Sequence, residues 1–151
     1  IHVSHSMRKY MKKHTLHVVL NRDFADTMHR CRLKREFEEG TWISDEMEEA
    51  YRRLHEQGYA VSVEVYEDDV LAGGFYGVSI GKCFFGESMF SEKENGSKTA
   101  LIAFARLLEQ EKFLFIDCQF HTEHLESMGG RYISWEEYDS LLTKGIQALH
   151  K

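Results

Sequence analysis

The chain has 151 residues, of which 42% are hydrophobic and 29% charged, and its formal net charge is −6. These values are typical of one globular domain that is large enough to bury its own core. No apolar run approaches the length of a membrane-spanning helix, and the first residues lack the apolar core of a secretory signal, so we expect a soluble protein with neither feature.

Positive charge is concentrated at the start of the chain. Residues 1–35 carry nine Lys and Arg residues against two Asp residues, a net charge of +7, so the remaining 116 residues carry −13. Such a division predicts that one face of the molecule meets an anionic partner. The alternative is a basic helix that only contacts solvent.

The first part of the chain predicts one strand and two helices. They are a strand over Thr15–Leu20, a helix from a cap at Asn21 or Asp23 to about Glu36, and a helix from Ser44 or Asp45 to Gly58. The second helix carries an apolar stripe, formed by Met47, Ala50, Tyr51 and Leu54.

The middle of the chain predicts an antiparallel meander of three strands. Residues 61–65 alternate valine with polar residues, as a strand with one buried face does. Two short turns then lead into VLAGGFYGVSI and CFFGES. The glycines Gly73, Gly74 and Gly77 predict a bulge or the close approach of a ligand backbone.

The last part predicts a helix over about Gly96 to Gln110, a buried strand over residues 113–119, a helical turn, a short strand and a final helix capped by Ser134. The complete order is β-α-α-β-β-β-α-β-α-β-α. It predicts a mixed α/β fold in which helices flank a mixed sheet containing an antiparallel meander, the layout of the acyl-CoA N-acyltransferase fold.

Polar side chains interrupt two of the predicted apolar strands. Asp117 and Gln119 alternate along their strand, so they share one face, and Glu87 and Ser88 form a second polar pair after CFFG. Burying such groups without partners costs a few kcal/mol. They therefore bind each other, a neighbour or a ligand, unless both strands simply end in solvent.

Cysteine and histidine give no sign of a metal centre or of disulfides. Cys31, Cys83 and Cys118 are an odd, widely spaced set, which favours a reducing cytoplasm. His121 and His124 are three residues apart, but no third ligand is apparent. We expect no metal site.

Several motifs together resemble the bacterial leucyl/phenylalanyl-tRNA–protein transferases. They are IHVSHSMRKY, EEGTWI, LAGGFYGV, GESMFS followed by ENGSKTAL, and FIDCQF. The resemblance extends from about Ile1 to about Tyr138 and implies a single catalytic domain, over residues 1–151, without the smaller N-terminal domain of that family. It also implies an acyltransferase-like fold.

The function implied by the resemblance is aminoacyl transfer. Leucine, phenylalanine or sometimes methionine passes from aminoacyl-tRNA to the N-terminal Arg or Lys of a protein, which then enters N-terminal-residue-dependent degradation. No cofactor and no metal are implied, and a cytoplasmic monomer is expected. In the family motif, Asp117 and Gln119 take the catalytic positions. Since a glutamine amide is a very weak base, we expect Gln119 to orient the attacking amine while Asp117 stabilises its positive charge.

The same resemblance implies the residues that bind substrate. Trp42 stacks on the terminal adenosine, unless it is a core residue, and Glu87 lies on the side of the amino group. The apolar pocket and its surroundings involve Phe75, Phe84, Ser88, Met89, Phe104 and Leu108. Candidate contacts to tRNA phosphates are Arg30, Arg32, Lys34 and Arg35.

The chain also departs from the family pattern. Thr122 stands where members often have Asn, which suggests a different choice of acceptor, and Leu108 replaces a second pocket phenylalanine. Two other functions remain open. An acyl-CoA-dependent N-acetyltransferase would share the fold, although ENGSKTA is a weak pyrophosphate loop. A module that binds tRNA or peptide without turnover is the other.

Overall fold

The computed structural model describes residues 3–39, 44–118 and 135–147. In chain order the elements are α1 (His5–Lys13), β1 (Leu16–Leu20), α2 (Phe24–Glu39), α3 (Asp45–Glu56), β2 (Ala60–Glu67), β3 (Val70–Ile80), β4 (Cys83–Ser91), α4 (Gly96–Gln110), β5 (Phe115–Cys118) and α5 (Trp135–Gln147). None of these helices is both long enough and apolar enough to cross a membrane.

The five strands form one sheet in the order β1-β2-β3-β4-β5. The first four strands are antiparallel neighbours. Short turns connect β2 to β3 and β3 to β4, and Asp68 and Asp69 form the first of these turns at φ of 51° and 68°. The connection through α4 brings β5 in parallel to β4. The predicted mixed sheet with an antiparallel meander is confirmed.

Helix caps follow the predicted chemistry where the structure describes them. The backbone N–H of Asp26 donates to Asp23 Oδ1 at 3.0 Å, and that of Met47 donates to Ser44 Oγ at 3.2 Å. Asp23 and Ser44 are therefore the caps of α2 and α3. Gly58 follows α3 at φ +87°. The predicted cap Ser134 lies outside the described residues.

The sheet separates two hydrophobic layers. On the α4 face, α1 and α4 cover a cluster that includes Val63, Phe75 and Phe84. On the opposite side, the α2 face, Phe24, Met28 and Cys31 of α2 pack with strand residues Ala60, Tyr76 and Phe90. Residues that pair across neighbouring strands point to the same side of the sheet. Val78 pairs with both Ala60 and Phe85, so Phe85 is on the α2 face.

A β-bulge changes the alternation of β4. Tyr76 pairs with Ser88 but the next residue, Gly77, pairs with Gly86, so Glu87 is the extra residue on β4. A second irregularity lies between Val65 and Tyr66. The glycine pattern of β3 thus predicted a bulge correctly.

Another backbone segment approaches Gly73 of β3 closely. The predicted close approach was that of a ligand, whereas the segment that approaches belongs to this chain. A Cβ atom on Gly73 would lie 2.8 Å from Gly96 C and 2.9 Å from Ser97 N, at the start of α4. The absent side chain therefore lets α4 begin directly over the sheet.

The structure corrects three details of the sequence analysis. The first helix was not predicted, although Ser4 caps it and Met7 faces the core. β4 continues to Ser91, so Glu87 and Ser88 lie within a strand and not at its end. α3 buries no residue completely, and its Met47 is 37% exposed, because only Tyr51 and Leu54 of the predicted stripe pack against the α2-face cluster.

Candidate functional site at the β4–β5 pair

Asp117 lies on β5, directly beside Phe85 of β4. Since neighbouring residues of parallel strands point to the same side, its half-buried side chain is on the α2 face. There the hydroxyl of Tyr138, from α5, donates a hydrogen bond of 3.0 Å to Asp117 Oδ2. The ring of Phe115, also on β5, contacts both β4 and α5: its centroid lies 5.9 Å from that of Phe85 and 5.5 Å from that of Tyr138.

Tyr138 remains protonated in this environment. Burial, followed by the hydrogen bond to Asp117 and the negative charge of that carboxylate, raises the pKa of the Tyr138 hydroxyl above its ordinary value. A phenol that keeps its proton is a hydrogen-bond donor to an ionised carboxylate. The Tyr138 hydroxyl is therefore the donor of this hydrogen bond, and Asp117 Oδ2 is the acceptor.

The position of α5 depends on close packing near its end. The backbone N–H of Lys82 donates to Gly145 O at 3.1 Å, and Cys83 Sγ is 3.9 Å from Leu141 O. Burial raises the pKa of the Cys83 thiol, which makes it a poor nucleophile and fits a packing role. These contacts hold the helix that carries Tyr138 against β4.

Glu87 and Ser88 lie at the bulge of β4, next to the site of Asp117. Ser88 is buried, at 6% exposure, and pairs with Tyr76 of the α2-face cluster. Glu87 follows Phe85 by two residues and is half-buried. In a bulge two residues of one strand oppose a single residue of the other, so Glu87 lies on β4 between the residues that pair with Tyr76 and Gly77.

The predicted pocket residues lie together on the α4 face. The rings of Phe75, Phe84 and Phe104 meet edge to face, with centroid separations of 6.2 Å for Phe75–Phe84, 5.3 Å for Phe75–Phe104 and 4.7 Å for Phe84–Phe104. Leu108 belongs to the same buried cluster, and Met89 packs against it. These residues form hydrophobic core in the structure, with the composition that an apolar side-chain pocket needs.

Asp117 and the aromatic cluster are therefore on opposite sides of the sheet. The last described pair of the β4–β5 ladder is Gly86 with Cys118, and the bulge at Glu87 follows immediately. A ligand that contacts both sides has to reach around an edge of the sheet.

Some predicted site residues lie outside the described part of the chain. They are Trp42, Gln119 and Thr122, together with His121 and His124 and the side chain of Arg35. Their predicted roles stay predictions.

The basic residues of α2 already contact carboxylates. Arg30 donates to Asp26 Oδ2 and to Glu92 Oε1, each at 2.8 Å. Arg32 Nη1 lies 2.6 Å from Asp45 Oδ1. Lys34, one turn of α2 after Arg30, is half-buried.

The basic residues of α1 have a different environment. Arg8, Lys9, Lys12 and Lys13 are exposed, and none of the four forms an ion pair with another described residue. Since Met7 of α1 packs into the α4-face cluster, these charges lie on the side of the predicted pocket. α1 was not predicted as a helix, so the sequence analysis did not single out this surface.

One group of described residues has the donor atoms for a metal ion. His14 Nδ1 lies 3.1 Å from Glu67 Oε1 and 3.5 Å from Asp68 Oδ2. The other carboxylate oxygens are engaged, because Tyr10 donates to Glu67 Oε2 and the backbone N–H of Thr15 donates to Asp68 Oδ1. A histidine whose Nδ1–H donates to these two carboxylates accounts for the His14 contacts, which tie the end of α1 to the β2–β3 turn.

Comparison with protein families gives one match over most of the chain. The model described as leucyl/phenylalanyl-tRNA protein transferase matches residues 1–143. Two curated proteins named leucyl/phenylalanyl-tRNA–protein transferase are similar to it: that of Syntrophus aciditrophicus is 49% identical over 146 residues, and that of Flavobacterium johnsoniae is 50% identical over 141 residues. The alignments cover 96% and 93% of this chain but 61% and 66% of those relatives. The chain thus spans less than two thirds of the length of either relative.

Solved structures with a similar fold are acetyltransferases. A probable acetyltransferase superposes with a TM-score of 0.60 at 13% identity, over 78% of this chain and 91% of its own. A possible acetyltransferase from Clostridium difficile 630 superposes with a TM-score of 0.59 at 12% identity, over 80% of this chain and 93% of its own. At such low identity the likeness concerns the fold alone, and it confirms the predicted acyltransferase-like architecture.

Proposed function

Since the chain belongs to the leucyl/phenylalanyl-tRNA protein transferase family, we propose that it moves leucine or phenylalanine, and sometimes methionine, from aminoacyl-tRNA to the N-terminal Arg or Lys of a protein. The observation that best supports a reaction centre is the position of Asp117. Its half-buried carboxylate is held on the α2 face of β5, one position before the last described pair of the β4–β5 ladder and near the bulge of β4.

The proposed chemistry needs positioning more than activation, because an aminoacyl ester is already reactive. The neutral amine of the acceptor attacks the ester carbonyl carbon and forms an amide bond. The bond from that carbon to the ribose oxygen breaks, and the proton given up by the amine ends on the ribose oxygen. Asp117 stabilises the positive charge that develops on the amine, while Gln119 accepts a hydrogen bond from it.

On the donor side, we assign recognition of the amino acid to the aromatic cluster of the α4 face. Phe75, Phe84 and Phe104, with Met89 and Leu108, supply apolar surface of the size that a leucine or phenylalanine side chain requires. Because the three rings contact each other, we expect them to rearrange when that side chain enters. The predicted stacking of Trp42 on the terminal adenine completes the donor site.

On the acceptor side, the carboxylates of Asp117 and Glu87 are the proposed partners for a cationic N-terminus. An N-terminal Arg or Lys brings a positive side chain as well as its amino group. Two nearby carboxylates suit such a substrate electrostatically. The buried hydroxyl of Ser88 lies beside Glu87 on the same bulge.

For the tRNA backbone, α1 is the better-supported surface. Phosphate binding by Arg30 or Arg32 would have to displace Asp26, Glu92 or Asp45. The exposed cations of α1 meet no such competition among the described residues, and they share the α4 face with the donor cluster. We therefore assign the main phosphate contacts to Arg8, Lys9, Lys12 and Lys13, with Lys34 and Arg35 as further candidates.

The wider role follows from the proposed reaction. A protein that carries a new N-terminal leucine or phenylalanine becomes a substrate of N-terminal-residue-dependent degradation, and the reaction would take place in the cytoplasm. A monomer without a cofactor suffices for direct transfer from an activated ester.

One assay tests the proposal. The chain is incubated with tRNA charged with radiolabelled Leu, Phe, Met or Val and with a peptide that begins with Arg. We expect label in the peptide from Leu and Phe, less from Met and little from Val. A peptide with the same sequence behind an acetylated N-terminus is the control, because it has no amine to attack the ester.

A parallel incubation with radiolabelled acetyl-CoA distinguishes the other function compatible with the fold. Acetyl transfer without aminoacyl transfer would overturn the proposal. Binding of charged tRNA without either transfer would also overturn the proposal and would identify the chain as a module that binds tRNA without turnover.

A further inference from the structure

We propose that Tyr138 is a positioning residue for aminoacyl transfer, because its hydroxyl holds one oxygen of the Asp117 carboxylate and leaves the other for the reacting groups. The inference rests on the proposed function. Tyr138 was assigned no role from the sequence.

The geometry restrains both partners of this contact. Asp117 is fixed by the β4–β5 ladder, in register with Phe85. Tyr138 is fixed by the ring of Phe115, at 5.5 Å, and by the attachment of α5 to the start of β4 through Gly145. The 3.0 Å hydrogen bond therefore joins a strand and a helix whose positions are also fixed by other contacts.

The hydrogen bond suits the charge that the reaction needs. Tyr138 keeps its proton because burial and the neighbouring carboxylate raise the pKa of its hydroxyl. Its hydroxyl therefore stays available as a donor to the Asp117 carboxylate. A carboxylate with one oxygen held in this way cannot rotate freely, so its second oxygen meets the developing ammonium without reorganisation.

The test is Tyr138→Phe, which removes one oxygen atom and keeps the ring that packs on Phe115. We expect kcat to fall roughly 10- to 100-fold, the range for loss of a hydrogen bond to a charged group. The KM values for charged tRNA and for the acceptor peptide should stay within about twofold, because the contact acts on the transition state. An unchanged kcat, or a loss confined to KM, would overturn the inference.

Tyr10→Phe is the matched control. Tyr10 also donates its hydroxyl to a carboxylate, that of Glu67, at the β2–β3 turn. It lies away from the proposed reaction centre, so kcat at saturating donor should remain that of the wild type. Melting curves of both variants show whether the fold is intact.

A double-mutant cycle with Asp117→Asn tests whether Tyr138 acts through Asp117. If it does, Tyr138→Phe should cause little further loss in the Asp117→Asn background. A full second loss of 10- to 100-fold in that background would mean that Tyr138 acts independently, and would overturn the positioning role.

A spectroscopic measurement separates failure of this inference from failure of the proposed function. The difference between wild type and Tyr138→Phe in phenolate absorbance reports the titration of Tyr138. The Tyr138 titration is measured again as the difference between Asp117→Asn and the variant with both substitutions. It should shift to lower pH, because the carboxylate charge is gone. If the Tyr138 titration is the same with and without the Asp117→Asn substitution, the Tyr138–Asp117 contact is overturned, whether or not the chain transfers an amino acid. If the titration shifts but no transfer is detected, the contact stands, and the proposed function is overturned together with the role of Tyr138 that rests on it.

Discussion

The backbone of Gly145 in α5 lies directly against the side chain of Cys83 in β4, and no space remains between them for a Cβ atom. Lys82 N–H donates to the carbonyl of the same glycine at 3.1 Å. This contact fixes the end of α5 relative to the strand that leads into the bulge. The helix carries Tyr138 at its other end, so the contact also sets where the Tyr138 hydroxyl lies.

Gly145→Ala should destabilise the protein. Alanine favours a helix over glycine by about 1 kcal/mol, so helix propensity alone would stabilise α5. The new methyl group would overlap Cys83 Sγ, and overpacking of this kind costs about 1–3 kcal/mol. We expect the overlap to dominate, so that the free energy of unfolding in urea falls.

Thr143→Ala is the control for Gly145→Ala. Thr143 is exposed on the same helix, and its replacement should leave the free energy of unfolding unchanged or slightly higher. If Gly145→Ala were as stable as this control, the close contact with Cys83 would not exist in solution.

Glu64→Ala should be strongly destabilising, because Glu64 is a buried carboxylate with four donors. Thr27 Oγ1 and Ser62 Oγ donate to it at 2.8 Å and 2.6 Å, and the backbone N–H groups of Arg22 and Asp23 lie at 3.3 Å and 3.4 Å. Removing it leaves buried hydroxyls without an acceptor at the start of α2. We expect a loss of about 3 kcal/mol in the free energy of unfolding.

The exposed Glu46 of α3 gives the comparison for Glu64. Glu46→Ala should change stability by no more than about 0.5 kcal/mol. Equal urea midpoints for the two variants would show that the buried network contributes nothing to stability.

Tyr10 makes the stability of the protein sensitive to alkaline pH. Burial, with the hydrogen bond and charge of Glu67, raises the pKa of Tyr10 from 10.0 to about 12. The folded state thus holds this proton more tightly than the unfolded chain. The resulting stabilisation is fully present below about pH 10 and is lost as the pH rises through about 12.

Unfolding in urea between about pH 9 and pH 12 measures this effect. Wild type should lose stability across the window more steeply than Tyr10→Phe, which has no such proton to lose. Both proteins keep Tyr138, so its raised pKa affects them alike. Parallel curves would mean that Tyr10 titrates normally in the folded protein.

Replacing Arg8, Lys9, Lys12 and Lys13 with Ala should weaken the binding of every charged tRNA. Each duplex phosphate contact contributes about 0.9 to the slope of log affinity against log salt. The variant should therefore show weaker binding and a flatter slope, without a change in the preference for Leu over Val, because phosphate contacts do not read the amino acid. Filter binding across a salt series measures both quantities.

Arg30→Ala with Arg32→Ala is the comparison for the α1 variant. These arginines contact Asp26, Glu92 and Asp45, so their loss should change the salt slope less. A larger change from the α2 pair than from the α1 set would assign the phosphate surface to α2, as the sequence first suggested.

The elements that depend on local chemistry were predictable from the sequence. The helix predicted from about Gly96 to Gln110 is confirmed as α4, since an apolar stripe of period 3.6 marks it. The meander was predicted from alternating residues and two short turns, and Ser44 from capping chemistry. The motifs around Glu87 and Asp117 were enough to indicate the family, because they combine specific residues at defined places in the chain.

The arrangement of these motifs in space depends on contacts between distant parts of the chain. Local alternation along β4 gives no sign that Glu87 is an extra residue, since a bulge depends on the pairing with β3. Tyr138 reaches Asp117 across 21 positions of the chain, and no periodic pattern encodes such a contact. The placement of the aromatic cluster and Asp117 on opposite faces likewise follows from which helix covers which side of the sheet. Burial of apolar surface selects that arrangement for the whole molecule at once, whereas a sequence pattern reports only on neighbours along the chain.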